Sequence, residues 1–208
     1  MLPMKVSTSS SVLEKRLVRA LKRGDPAAFE RLVRLHQDRV YGLCLRMMGN
    51  TAEAEDIAQE VFFTIFNSIT RFREESLLST WIYRITRNHC LNRLKFLKRR
   101  AYQRRQSLED THQADLAGEN IHQPVASDVP RPDRLVEAKQ METIIQEQIN
   151  KLSEEHRELI ILRDIEHLSY EEIQTITGLA GGTVKSRLHR ARMELARMMA
   201  PFLTDKSE

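Results

Sequence analysis

The chain has 208 residues, of which 41% are hydrophobic and 6% aromatic, and it contains few glycines and prolines. This length suits one large domain or two small ones, and the composition favours an all-α fold. No apolar run approaches the length of a membrane span, and the first residues lack the apolar core of an export signal. We therefore expect a cytoplasmic, all-α protein without membrane insertion.

The net charge is only +4, but the charges fall into separate segments. Residues 84–105 contain nine basic residues and no acidic one, whereas 106–133 contain six acidic residues and a single Arg. The acidic segment also carries prolines and lacks a helical or strand period, which is typical of a flexible linker. We predict a disordered N-terminus (1–11), a first domain (12–105), the acidic linker (106–133) and a second domain (134–203). The linker charge either covers basic surfaces when DNA is absent or serves solubility alone.

The two cysteines, Cys44 and Cys90, stand far apart and without an export signal, which argues against a disulfide framework. Cys44 falls on an apolar helical stripe and is predicted to be a small buried hydrophobic residue. His89 beside Cys90 could suggest zinc, but neighbouring helical residues diverge and no second ligand pair such as CxxC or HxxxH occurs. We predict no metal site and no cofactor.

Apolar residues at helical spacing predict a first, amphipathic helix over 12–23, which ends at Gly24. Asp25 and Pro26 then provide an N-cap and a first-turn proline, which predict the start of a second helix. Its apolar stripe would form the core of a helical bundle and contains Phe29, Leu32, Val33, His36, Val40, Leu43, Cys44 and Met47. Within this stripe, a hydrogen-bonded core histidine is a simpler interpretation of His36 than a ligand or base.

A third helix is predicted after Gly49, because Asn50 and Glu53 can cap its first turn. One face is broadly apolar, and the other presents a pattern of carboxylates, an amide and an aromatic ring at helical spacing: Asp56, Gln59, Glu60 and Phe63. Such a face suits an Arg-rich partner helix. The alternative is a solvated face with Phe63 packed into a neighbouring helix.

The next segment, WIYRITRNHCLNRLKFLKRRA, places Trp81 and Tyr83 ahead of the long basic run. Aromatic rings interleaved with cations can stack unpaired bases while the cations hold the phosphate backbone. Trp81 can equally be the core aromatic residue of the bundle.

The C-terminal domain is predicted as a four-helix unit of about seventy residues. After an amphipathic segment over 135–149, Ser153 starts a helix, and Ser169 with Glu172 forms a capping box for the next one. Gly178 ends that short helix, and another begins near Gly181. Its apolar residues share one face, which leaves polar and basic side chains on the other: Lys185, Ser186, His189 and Arg190. This pattern predicts a helix-turn-helix that enters the major groove of DNA.

The segment SYEEIQTITGLAGGTVKSRLHRAR closely resembles the second DNA-binding domain of bacterial sigma factors of the extracytoplasmic-function (ECF) group, in the sigma-70 family. The segments DIAQEVF and WIYRITRN resemble the corresponding motifs of the same family, so the likeness covers nearly the whole chain. It implies a non-enzymatic subunit that binds core RNA polymerase and directs transcription initiation at stress- or signal-responsive promoters.

The resemblance also implies roles for individual residues. Binding to core polymerase is expected at Asp56, Gln59 and Glu60 of the DIAQEVF motif, together with Phe63, which the helical spacing places on the same face. Reading of the −35 promoter element as duplex is expected at Thr183, Lys185, Ser186, Arg187, His189 and Arg190. Melting and capture of the −10 element are expected at Trp81, Arg84, Arg87, Asn88, Asn92, Lys95, Lys98, Arg99 and Arg100. The family also uses the loop before the tryptophan, here REESLLS, to capture a base, and the sequence leaves open which base this loop accepts.

Family members often pair with an anti-sigma factor, soluble or membrane-bound, and one of the latter kind would hold the chain at the inner membrane. The sequence leaves three other functions to compare: a helix-turn-helix regulator that binds duplex DNA independently of polymerase, a polymerase adaptor that reads no DNA, and an enzyme. The chain contains no nucleophile, base and orienting residue at a consistent spacing, which argues against the enzyme.

Overall fold

The computed structural model describes residues 8–109 and 132–203, with side chains in 12–106 and 140–203. These ranges form eight α-helices and contain no strand, which confirms the all-α prediction. The helices are α1 (Thr8–Lys22), α2 (Pro26–Met48), α3 (Thr51–Ser68), α4 (Leu78–Glu109), α5 (Pro132–Lys151), α6 (Glu154–Ile160), α7 (Tyr170–Thr177) and α8 (Gly181–Leu203). A 3-10 turn (Ile69–Arg71) follows α3, and a π-helical turn (Ile161–Ile165) extends α6.

The helix starts in the N-terminal bundle follow the predicted capping signals. The Asp25 carboxylate accepts hydrogen bonds from the backbone N–H groups of Ala27 and Ala28, at 3.0 and 3.4 Å, ahead of Pro26 in the first turn of α2. The Asn50 side chain accepts from the Glu53 N–H at 3.0 Å at the start of α3. These bonds satisfy donors that have no partner within the helix.

Helices α2, α3 and α4 pack together around an apolar core, with α1 against α2. Fully buried side chains that fill the core include Leu32, Leu43, Met47, Ile57 and Ile65. Cys44 and Cys90 are both buried free thiols in mutual contact, so two residues far apart in sequence meet in the core. The hydrogen bond from the Cys90 thiol to Cys44 and burial both raise the pKa of Cys90, which keeps it protonated.

The C-terminal helices build the predicted helix-turn-helix. Ser169 and Glu172 form a reciprocal capping box: the Ser169 N–H donates to the Glu172 carboxylate at 2.8 Å, and the Glu172 N–H donates to Ser169 Oγ at 3.1 Å. Gly178 ends α7 with a φ of 74°, a conformation that costs glycine little. The buried residues Val184, Leu188 and Ala191 pack α8 against the rest of the domain.

Some helix ends differ from the predicted segment boundaries. Helix α1 begins at Thr8, so residues 8–11, which were expected to be disordered, are helical. Helix α4 continues to Glu109 and α5 begins at Pro132, so both ends of the predicted linker are helical. The predicted linker follows the acidic charge and the prolines, and these features do not mark where a helix ends. Residues 1–7 and the rest of the linker, 110–131, lie outside the described residues.

The two helical units are in direct contact. Helix α7 lies against α4, and α5 lies against α2. Arg157 donates a hydrogen bond through Nη1 to the carbonyl oxygen of Met47 at 2.9 Å, and its side chain also reaches the carbonyl oxygens of Asn150 and Leu152. This arginine ties the start of α6 to the end of α2.

Replacing Ser169 with Ala removes one half of the capping box, and we expect it to destabilise α7 by about 1 kcal/mol. Amide hydrogen exchange in α7 should accelerate roughly fivefold, because local opening becomes that much easier. Ser169→Asp retains a side-chain acceptor and should exchange at nearly the wild-type rate. Equal exchange rates in all three proteins would show that the cap does not stabilise the motif.

Candidate nucleic-acid interface

Helix α8 presents a polar face opposite its buried apolar face. Lys185, Ser186, His189 and Arg190 are exposed. Thr183 and Arg187 are half-buried at the edges of this face. Because Lys and Arg donate to guanine edges and to phosphate, the face has the chemistry of a recognition helix.

Neighbouring groups orient several side chains on this face. Lys185 Nζ lies 5.7 Å from the centroid of the Tyr170 ring, a cation–π contact across the turn of the motif. Arg187 Nη1 lies 2.7 Å from Glu155 Oε2 at the start of α6. Arg187 is therefore paired at the edge of the polar face, while Lys185 is exposed beside the Tyr170 ring.

Helix α4 carries a second cationic face. Arg84, Asn88, Asn92, Lys95 and Arg99 are exposed and recur every three or four residues, so they form one stripe. From the first to the last, the stripe spans about 22 Å along the helix axis. A stripe of this length can follow several nucleotides of a single strand.

Two further predicted DNA-binding cations on α4 have carboxylate partners. Arg87 is half-buried and contacts Glu158 of α6, with Nε 2.6 Å from Oε1. Lys98 Nζ lies 2.8 Å from Glu154 Oε1. Sequence patterns did not indicate either partner, because both pairs join residues that are far apart in the chain.

Trp81 belongs to the bundle core. Its side chain is only 9% exposed, and its ring centroid lies 5.1 Å from that of Phe72 at an interplanar angle of 42°. In this arrangement a base could not stack on the indole unless Trp81 left the core. Of the two roles that the sequence left open for Trp81, the structure displays the packing role.

The REESLLS segment, whose last two residues begin α4, makes hydrogen bonds to α1. Glu14 Oε1 accepts a hydrogen bond from the Leu78 N–H at 2.6 Å, which caps the start of α4. Lys22 Nζ lies 2.7 Å from Glu74 Oε1, and this hydrogen bond lowers the pKa of the Glu74 carboxyl. Glu74 has a φ of 60°, which is uncommon for a residue with a side chain. Sequence reasoning missed Glu14 and Lys22, because neither belongs to a local motif with the loop.

Helix α3 presents the predicted acidic and aromatic face. Phe63 is 70% exposed, and Asp56, Gln59 and Glu60 are exposed around it. Phe66 on the same helix is also 54% exposed, and its ring makes a T-shaped contact with that of Phe29. The exposed aromatic surface is therefore larger than the sequence suggested.

The carboxylates beside this surface are positioned by α4. Arg93 contacts Glu53 and lies 3.5 Å from Asp56, and His89 Nδ1 lies 3.3 Å from Glu60 Oε2. These contacts fix the carboxylates while leaving Phe63 uncovered. Within the described residues, no group of three or more His, Cys, Asp or Glu side chains could hold a metal ion, and no helix is long and apolar enough to cross a membrane.

The polar face of α8, the cationic stripe of α4 and the separate acidic–aromatic face of α3 have the chemistry expected of a helical DNA-binding protein with a protein partner. Comparison with known families specifies the class. Sigma-70 region 2 matches residues 32–110, and sigma-70 region 4 matches residues 142–195.

Similar full-length proteins agree with these matches. The chain is 35% identical over 185 residues to the ECF RNA polymerase sigma factor SigW of Bacillus subtilis (strain 168), covering 89% of this chain and 96% of that protein. It is 33% identical over 192 residues to the RNA polymerase sigma-H factor of Pseudomonas aeruginosa, covering 92% and 96%. The chain therefore belongs to the ECF group of the sigma-70 family. It is a promoter-specificity subunit of bacterial RNA polymerase and not an enzyme.

Solved structures share the fold. The sigma factor RpoE in complex with the anti-sigma factor NepR from Bartonella quintana aligns with a TM-score of 0.59 at 24% identity, covering 83% of this chain and 96% of that one. CnrH in complex with the cytosolic domain of CnrY aligns with a TM-score of 0.62 at 18% identity, covering 90% and 97%.

Proposed function

We propose that this sigma factor reads its promoters through two separate helices. The observation that carries this proposal is the polar face of α8. Its exposed hydrogen-bond donors lie opposite the buried apolar face of the same helix. Lys185, Ser186, His189 and Arg190 would read the −35 element in the major groove. Arg187 and Thr183 would contact the backbone at the edges of this face.

The exposed stripe of α4 is the second reader. Asn88 and Asn92 can each bond an adenine edge through amide oxygen and nitrogen. Arg84, Lys95 and Arg99 add positive charge along the same stripe, which suits the phosphates of an opened −10 strand. Arg87 and Lys98 would join them after release from their carboxylate partners, and Trp81 would support the helix from the core.

The acidic–aromatic face of α3 is the proposed contact with core polymerase. An exposed ring among carboxylates resembles the centre of a protein interface, where aromatic anchors contribute most of the binding energy. A regulator that acts without polymerase would have no use for this face.

An anti-sigma factor is a second proposed partner. The structures of RpoE and CnrH show related folds in complexes with NepR and with the cytosolic domain of CnrY. A partner of this kind would cover the polymerase-binding and DNA-binding faces until a stress or another signal releases the chain. If it spans the inner membrane, it would hold this otherwise cytoplasmic chain there.

Replacing both Lys185 and Arg190 with Ala should reduce −35 recognition by about 1–3 kcal/mol for each lost base contact. The test is transcription by holoenzyme from promoters with consensus and scrambled −35 elements, and the double variant should lose the difference between them. Arg197→Ala removes an exposed charge from the same helix, and this control variant should still distinguish the consensus promoter from the scrambled one. Unchanged discrimination in the double variant would favour an adaptor that reads no DNA.

Replacing Lys95 and Arg99 with Ala should weaken binding of the holoenzyme to a promoter with a preformed −10 bubble. Each lost phosphate contact should reduce the slope of log affinity against log salt by about 1. Titrations at several salt concentrations would measure that slope. If it equals the wild-type value, the α4 stripe does not follow the phosphate backbone.

Phe63→Ala should weaken binding to core polymerase by about 2 kcal/mol, the loss expected for an interface anchor. Fluorescence titration of labelled chain with purified core enzyme would measure the affinity. Leu35→Ala removes a similarly exposed apolar side chain from α2 and serves as the control. Equal affinities for both variants would place the polymerase contact elsewhere.

A further inference from the structure

Helix α1 contacts both ends of the short loop, residues 73–77, that precedes α4. At the first end, Lys22 Nζ lies 2.7 Å from Glu74 Oε1. At the second end, Glu14 Oε1 accepts a hydrogen bond from the Leu78 N–H at 2.6 Å. Lys22 and Glu14 lie about 12 Å apart along the axis of α1, at 1.5 Å per residue. A single helix therefore spans the whole loop.

The residues that flank the loop are buried. Phe72 precedes the loop, and its ring packs on Trp81 in the core. The Lys22 ammonium lies 5.9 Å from the centroid of the same Phe72 ring, a cation–π contact. Leu78 follows the loop and is also buried, whereas Leu77, the last residue of the loop, is exposed. The loop thus has a fixed base and an outer surface that is open to a ligand.

Glu74 has an unusual backbone conformation within this loop. Its φ of 60° lies in the left-handed region, which is uncommon for a residue with a side chain. Such a conformation persists only where surrounding contacts hold it, and residues of this kind cluster at sites that hold ligands. The hydrogen bond from Lys22 joins the Glu74 side chain to α1 and lowers the pKa of its carboxyl, so the pair is ionised at neutral pH.

The loop lies at the start of the proposed −10 reader. The exposed stripe of α4 begins at Arg84, about 9 Å along the axis from the first residue of the helix. A single strand that follows the stripe toward the start of α4 therefore reaches the loop. There it would meet a carboxylate, a hydroxyl and an apolar side chain, from Glu75, Ser76 and Leu77. Polar groups of these kinds can bond the edge of an unpaired base, and the apolar group can contact its face.

We propose that α1 is a clamp that shapes this loop to receive one unpaired base of the −10 strand, with Lys22 and Glu14 as its positioning residues. The inference rests on the proposed function of α4 as the −10 reader. Neither residue touches the base. Each fixes one end of the loop, so the loop loses less conformational entropy when the base binds. Both residues precede residue 32, where the match to sigma-70 region 2 begins.

The test is the binding of reconstituted holoenzyme to fluorescent promoter fragments with a preformed −10 bubble, in which each unpaired position carries each of the four bases in turn. Lys22→Met removes the ammonium but keeps an unbranched side chain. Because a partly exposed ion pair has a modest energy, we expect the preference between bases to fall about threefold at one position. Glu14→Ala should reduce the preference at the same position. Preferences at the other positions should stay at the wild-type level, because the α4 stripe is intact.

Conservative variants separate positioning from charge. Lys22→Arg keeps a cationic donor, and Glu14→Gln keeps an acceptor for the Leu78 N–H, so both should retain the wild-type preference. Arg16→Met removes a cation from an exposed position of the same helix and should retain it as well. Lys22→Met and Glu14→Ala remove charges of opposite sign, so a purely electrostatic effect would change DNA affinity in opposite directions. The clamp instead predicts the same loss of selectivity in both.

Wild-type base preferences in both Lys22→Met and Glu14→Ala would overturn the clamp. An equal loss of preference at every position would also overturn it, because that result would indicate a general disturbance of the domain. If the wild-type holoenzyme itself shows no base preference in the bubble, the proposed −10 reader fails and the clamp fails with it. Preserved preferences in the variants, beside a clear preference in the wild type, would contradict the clamp alone.

Discussion

The whole molecule depends on one helix, α4, which presents three different surfaces. Its first turns supply core residues such as Trp81 and Ile82, and its exposed stripe supplies the amides and cations of the proposed nucleic-acid surface. A third side contacts the C-terminal unit through Arg87. Because these surfaces lie on one continuous helix, a displacement of the helix would move all three.

The same requirement explains the distribution of charge. A surface that binds phosphate must hold cations close together, and these repel one another when DNA is absent. In this chain, carboxylates from distant parts of the sequence lie beside the cations. Glu53 and Asp56 lie beside Arg93. On α6, Glu158, Glu154 and Glu155 lie beside Arg87, Lys98 and Arg187. The net charge of +4 is modest, and many of these cations lie beside carboxylates.

Local signals in the sequence predicted the helices and their order well. The caps at Asp25, Asn50 and Ser169 act within one turn, so their geometry follows from a few neighbouring residues. Contacts between distant residues had no such signal. The meeting of Cys44 with Cys90 and of Arg87 with Glu158 depends on how whole helices pack, and a single sequence contains no direct record of that packing. For the same reason the sequence left two roles open for Trp81.

The most direct test of the account is run-off transcription with purified core RNA polymerase, this chain and a library of promoter fragments, with the transcripts sequenced. The account predicts discrete start sites that require the chain and that share two motifs at a constant spacing upstream. An absence of such transcripts, combined with tight binding of the free chain to specific duplex DNA, would contradict it and indicate a regulator that acts without polymerase.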